Sequence, residues 1–184
     1  MAAFQNVKGR SQRPKTKDQR PKTKNRRLHP KPNTPALMRI RFIWPGKTKD
    51  ERLRALVAEY LKRLSRFVRC EMIETRDAAD LRKESGRLLD AIPDGSLMVL
   101  LDVKGREWSS TELAAEVRRW ESDAIKEVAV VIGGPEGVNA EVSARAQKRW
   151  RLSRLTLTHE LARVIAVEQL YRAYTINRGL PYQK

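Results

Sequence analysis

The run Glu127-Val128-Ala129-Val130-Val131-Ile132 sets five apolar residues behind one acid and stops on Gly133-Gly134-Pro135-Glu136-Gly137. A stretch this short and this uniformly apolar, closed by glycine and proline, reads as a strand buried on both faces. Ser96–Asp102 repeats the pattern: Leu97–Leu101 is apolar throughout and follows the turn Pro93-Asp94-Gly95. Strands buried on both faces belong to parallel sheets sandwiched between helices. Neither five-residue run approaches the roughly 20 apolar residues needed to cross a bilayer.

Working outward, the intervening segments supply the helices. Leu53, Leu56, Val57, Tyr60, Leu61 and Leu64 recur at helical spacing and predict one buried stripe. Asp77–Ala91 predicts a helix through Leu81, Leu88 and Leu89, and Ser109 or Ser110 caps another running to about Asp123, with Leu113, Val117 and Trp120 inward. Before these, Met38–Trp44 alternates Ile40, Phe42 and Trp44 with Arg39 and Arg41, a strand signature, and Phe67–Thr75 reads as a second strand. After the glycine loop the pattern predicts a helix over Asn139–Trp150, a short strand at Arg154–Leu157 and a long helix from Thr158 to about Ile176. Strand and helix alternate throughout, so the fold class is α/β, a parallel-sheet α/β/α sandwich.

The chain has 184 residues and a formal net charge of +17, which favours a polyanionic partner, nucleic acid first. Residues 1–37 carry six Lys and five Arg against the single acid Asp18, with five prolines and the repeat Arg13-Pro14-Lys15-Thr16-Lys17 and Arg20-Pro21-Lys22-Thr23-Lys24. So polar a segment is expected to be disordered, and residues 38–184 to form the folded domain. The tail reads either as a phosphate-binding arm or as a dispensable extension, Met38 being an alternative start. Deleting residues 1–37 is expected to leave the domain folded and to flatten the salt dependence of RNA binding. Every phosphate that the arm no longer neutralises lowers the log–log slope by about 0.7–0.9. Filter binding between about 50 and 300 mM salt would measure this, and an unchanged slope would make the arm irrelevant to RNA. One cysteine, Cys70, allows no internal disulfide, and two distant histidines, His29 and His159, make no metal cluster. No apolar segment follows the basic N-terminus, so a secretory signal is not expected. The expected setting is cytoplasmic, with neither membrane nor metal as partner.

In open α/β sheets, ligands bind beyond the carboxyl ends of strands. Three such ends stand out: Leu101-Asp102, Gly133–Gly137 and Leu152–Leu157. The glycine loop fits neither dinucleotide nor phosphate-loop spacing, but two glycines let a ligand approach the backbone. Asp102 reads as a ligand acceptor or as a turn cap. His159, in the first turn of the last helix, is a candidate neutral base or a polar surface residue, the helix dipole lowering its pKa. Arg163, Arg172 and Arg178 with Tyr171, Tyr174 and Tyr182 offer an RNA-facing surface, or an ordinary amphipathic helix. Spacing alone names no reaction.

Four stretches taken together carry a resemblance: Val131–Gly137, Leu152–His159, Arg163–Tyr174 and Pro181-Tyr182. They are similar to the ribosomal RNA large subunit methyltransferase H family, of the SPOUT class, over about Met38 to Lys184. The resemblance implies a C-terminal trefoil knot, a homodimer and a bent S-adenosylmethionine held in the knot. Carried over by position, it implies cofactor contacts at Leu101, Gly133, Leu152, Ser153, Arg154, Leu155, Thr156 and Leu157. The implied reaction is methyl transfer to N3 of a pseudouridine in helix 69 of 23S rRNA within the assembled ribosome. His159 is the candidate base, Arg172 a stabiliser of the N3 anion or a phosphate, and Tyr182 a stacking partner for the target base. The chain departs from the family pattern at Gln183, where a histidine is usual, and at Thr158, where proline is common. The alternatives are another RNA target for a SPOUT enzyme, or a non-catalytic ribosome-binding protein.

Overall fold

The computed structural model describes residues 38–183; expectations for residues 1–37 lie outside the described residues. The chain runs β1 (Arg39–Pro45), α1 (Glu51–Leu64), β2 (Arg69–Thr75), α2 (Leu81–Ala91), β3 (Leu97–Glu107), α3 (Ser110–Ser122), β4 (Glu127–Ile132), α4 (Ala140–Arg145), β5 (Lys148–Arg151) and α5 (His159–Asn177), ending in a 3-10 turn at Pro181–Gln183. All five strands are parallel, in the order β2-β1-β4-β3-β5. The two apolar runs thus lie side by side in the middle, Leu101 paired with Ile132.

Both faces are covered, which is why these strands do not alternate. Phe42, Val99 and Val130 pack with Leu113, Val117, Leu170 and Tyr174 on one side. Ile43, Leu100 and Val131 pack with Leu88 and Val142 on the other. The helix starts follow local chemistry. The Asp50 carboxylate accepts the N–H groups of Arg52 and Leu53, Ser109 and Glu112 form a reciprocal capping box on α3, and Thr158 Oγ1 accepts the Leu161 N–H at the head of α5. β5 sits beyond β3 at the edge, so α5 returns across the sheet to pack on α1 and α3.

The structure corrects the pattern in several places. The helix over Asn139–Trp150 stops at Arg145, and Lys148–Arg151 is a strand pairing with β3 through Leu100–Arg149 and Leu101–Trp150. Trp150 is buried against Trp108, with ring centroids 5.8 Å apart, and that burial overrides the helical propensity of the surrounding residues. Arg154–Leu157 pairs with no strand; it is the loop between β5 and α5. On α1, Leu56 is 39% exposed instead of joining the stripe, where Val57 and Leu64 are buried. α2 also starts later than predicted, with Asp80 as its N-cap, and β3 runs on to Glu107. Among the described residues no helix is long and apolar enough to cross a membrane.

Candidate active site

The three predicted stretches converge on one cavity of about 800 Å³, although only β4 ends there as expected: Leu101-Asp102 lies at a bulge inside β3, and Leu152–Leu157 is the loop that follows β5. Leu101, Gly133, Leu152, Ser153, Leu155, Thr156 and Leu157 all line it. Arg154 does not: its side chain is 84% exposed and lies 3.4 Å from Glu107. The β5–α5 loop wraps the cavity because Ser153 turns it, its Oγ accepting the Leu155 N–H at 3.0 Å while its carbonyl accepts from Arg151 Nε at 3.0 Å.

Opposite this loop, β3 bulges. Its register with β5 shifts between Leu101 and Arg106, where Asp102 Oδ1 accepts the Lys104 N–H at 2.8 Å. Gly105 permits the detour, since a Cβ there would meet the Arg149 backbone at 2.7 Å. Asp102 therefore caps a turn, and it pairs with Arg149 at 3.5 Å. Arg149, another cavity residue, is hidden in the sequence because Lys148–Arg151 carries a helical pattern and three basic side chains. The alternation around Trp150 is the one signal that marks it.

The glycine loop forms the remaining wall. The Gly137 N–H donates to the Gly134 carbonyl at 3.0 Å, and Gly137 has φ +77°, which favours glycine. A Cβ at Gly133 would come within 2.6 Å of the Gly137 carbonyl oxygen, so the loop closes on itself directly above this residue.

His159 also lines the cavity. Burial, more than any other influence, holds its pKa below the ordinary 6.5, and the Arg163 guanidinium adds to this against the opposing pull of Glu160. The imidazole is thus neutral at pH 7. The Glu160 carboxylate is engaged elsewhere, accepting the Lys49 N–H at 2.7 Å and the Asp50 N–H at 3.3 Å.

Arg172 and Tyr182 lie together, apart from His159. The Arg172 guanidinium stands 4.7 Å over the Tyr182 ring and bonds Glu168 at 2.8 Å. Tyr182 Oη donates to Glu168 Oε1 at 3.0 Å, and burial together with these neighbours raises its pKa. Neither residue lines the cavity. At about 1.5 Å per residue, Arg172 is roughly 20 Å further along α5 than His159.

Arg163 is a buried strut, not part of an RNA-facing surface. It is 1% exposed, donates to the Pro45 carbonyl at 2.6 Å and Thr48 Oγ1 at 3.0 Å, and lies 5.2 Å from the Trp44 ring centre. Burial lowers its pKa from the usual guanidinium value. It ties the end of β1 to the first turns of α5. Arg163→Met leaves two buried acceptors without donors and is expected to cost about 3 kcal/mol. In a chain of this size that lowers Tm by roughly 6–12 °C by calorimetry; an unchanged Tm would mean that the strut carries no weight.

Cys70 is only partly exposed, and burial pushes its thiol up to about 12, so it is no nucleophile. Among the described residues no group of three or more His, Cys, Asp or Glu could hold a metal ion.

The family model described as "Predicted SPOUT methyltransferase" matches residues 38–183. The ribosomal RNA large subunit methyltransferase H of Gloeobacter violaceus is 43% identical over 151 residues, covering 79% of this chain and 98% of that protein. The protein of the same name from Ectopseudomonas mendocina is 42% identical over 156 residues, covering 80% of this chain and 100% of its own. Among solved structures, a probable methyltransferase from Bordetella pertussis Tohama I aligns with a TM-score of 0.52 at 16% identity, over 75% of this chain and 95% of that one, a likeness of fold. With its parallel sheet, its cavity at the strand ends and relatives of this similarity over nearly their whole length, the chain belongs to the SPOUT methyltransferases, in the ribosomal RNA large subunit methyltransferase H family.

Proposed function

We propose that this enzyme transfers the methyl group of S-adenosylmethionine to N3 of a pseudouridine in helix 69 of 23S rRNA, in the assembled ribosome of the cytoplasm. The observation that carries the reading is the single cavity onto which the glycine loop, Leu101 and the Leu152–Leu157 loop converge beside a neutral histidine. Its volume falls in the range of small-molecule sites, and its walls mix apolar side chains with backbone left open by glycine. That composition suits a cofactor with an adenine ring and a methionine tail. Leu101, Gly133, Leu152, Ser153, Leu155, Thr156 and Leu157 would hold it, with Arg154 outside.

S-adenosylmethionine supplies an electrophilic sulfonium methyl when bound. The chain must then hold the target nitrogen in line and accept its proton. Alignment of this kind accounts for about 7–11 kcal/mol of a barrier. His159, neutral and at the cavity wall, is the group placed to take the proton. Arg172 and Tyr182 form an aromatic and cationic platform for RNA further along α5. In a homodimer, this platform on one copy can serve the cavity of the other, which reconciles their roles with their separation in one chain.

The test is methyl transfer from labelled S-adenosylmethionine to assembled ribosomes lacking the modification, with the product nucleoside located by mass spectrometry. A methyl on the helix 69 pseudouridine is the expected result. A methyl on another nucleotide would keep the reaction and replace the target, and failure to bind the cofactor would favour a non-catalytic ribosome-binding role.

A further inference from the structure

Two polar side chains sit side by side where α2 faces the core: Glu84, 8% exposed, and Ser85, fully buried. Burying such groups is costly unless they are partnered; Ser85 is bonded to one end of the glycine loop, and Glu84 lies between the other end and Ala78. Ser85 Oγ accepts the N–H of Asn139 at 3.0 Å. The Glu84 carboxylate lies against Gly134, whose hypothetical Cβ would fall 2.5 Å from Oε1, and it faces the amides of Gly134 and Ala78. Between these points the loop carries its own cross-link from Gly137 to Gly134.

Neither side chain lines the cavity, yet Gly133, Gly134 and Gly137 do. Asn139 also caps α4, its Oδ1 accepting the Val142 N–H. Holding Asn139 therefore holds both the exit of the glycine loop and the head of the helix that leads to β5. Any side chain at Gly134 would displace the carboxylate, so glycine here serves the contact from behind the loop.

We infer that Glu84 and Ser85 are a positioning pair that grips the glycine loop at both ends and thereby sets the affinity of the cavity for its cofactor. The inference rests on the reading of that cavity as the S-adenosylmethionine site. The pair touches no reacting atom; it acts through the loop.

The test compares the unaltered full chain with Ser85→Ala and Glu84→Gln, after circular dichroism and Tm show each to be folded. Ser85→Ala suits a helix and keeps the test open if the Glu84 variant does not fold. In the cofactor-free proteins, amide hydrogen exchange over residues 134–139 is expected to quicken at least tenfold while the amides of β1 and β4 keep their rates. S-adenosylmethionine binding by calorimetry is expected to weaken about tenfold. KM for the cofactor should rise with kcat at saturation retained, a split that general destabilisation does not produce. If the unaltered chain fails to bind S-adenosylmethionine, the reading of the cavity falls, and this inference with it. If it binds and both variants bind as tightly, the positioning role is overturned while the cavity reading stands. Quickened exchange with unchanged affinity also overturns it, because the loop would then be held for stability alone.

Discussion

Gly133→Val is expected to abolish S-adenosylmethionine binding, weakening it at least a hundredfold by calorimetry, while the sheet stays folded. The cause lies in the loop's own backbone. A Cβ at this position would meet the Gly137 carbonyl oxygen at 2.6 Å, the Gly137 carbonyl carbon at 2.8 Å and Val138 Cγ1 at 2.9 Å. Two of these are main-chain atoms that no rotamer change can move aside, so the turn closed by Gly137 and Gly134 has to open. Forcing extra atoms into a packed site costs about 1–3 kcal/mol in stability. The loss of binding exceeds this because the wall of the cavity moves with the turn. Gly86→Ala is the matching control. Gly86 lies in α2 with open space where its Cβ would be, so alanine there should keep affinity and add about 0.5–1 kcal/mol of stability. Unweakened binding by the valine variant would mean that the cofactor sits elsewhere.

The same loop shows what was legible in the sequence. Val128–Ile132 and Leu97–Leu101 announce buried parallel strands because burial on both faces erases alternation, and the structure pairs them in the centre of the sheet. The meeting of the β4 and β5 ends at the cavity follows from this, since parallel strands all end on one side, whereas β3 reaches the cavity by a bulge at Leu101-Asp102 and runs on to Glu107. What sequence pattern could not show was pairing imposed by tertiary contact. Lys148–Arg151 becomes a strand because Trp150 packs on Trp108 beside β3, and nothing within four residues encodes that partner. The positions of Arg163 and Glu84 were equally opaque. Each is a charged residue type that normally faces water yet stands on the buried face of its helix, and Arg163 finds its partner far away in sequence, 118 residues for the Pro45 acceptor. The resemblance gives His159, Arg172 and Tyr182 roles in one reaction, whereas a helix of 19 residues separates His159 in its first turn from Arg172 more than three turns on, and Tyr182 lies beyond its end.

His159→Ala is expected to slow methyl transfer about a hundredfold or more while changing the affinity for S-adenosylmethionine only a few-fold. A positioned general base contributes roughly 10²–10⁴ in rate. His159 lines the cavity, at the first residue of α5, where Thr158 caps the helix. Its burial and the neighbouring Arg163 charge favour the uncharged imidazole, so the proton-accepting form predominates at pH 7. The sign of the pH dependence follows. A base whose pKa lies below 6.5 is fully competent above that value and is lost as the pH falls through its own pKa. The rate of the unaltered enzyme should therefore be flat across neutral pH and fall on an acid limb below 6.5, and that limb should vanish in the alanine variant. Arg163→Met should move the limb upward, because it removes a cation that opposes protonation, and this shift separates electrostatic coupling from mere loss of stability. The result bears directly on Gln183, whose amide is no base where the resemblance implies a histidine: a loss confined to kcat in His159→Ala would place proton removal at the cavity wall. A rate within threefold of the unaltered enzyme, with the acid limb intact, would instead leave the proton to solvent and reduce His159 to a wall of the site.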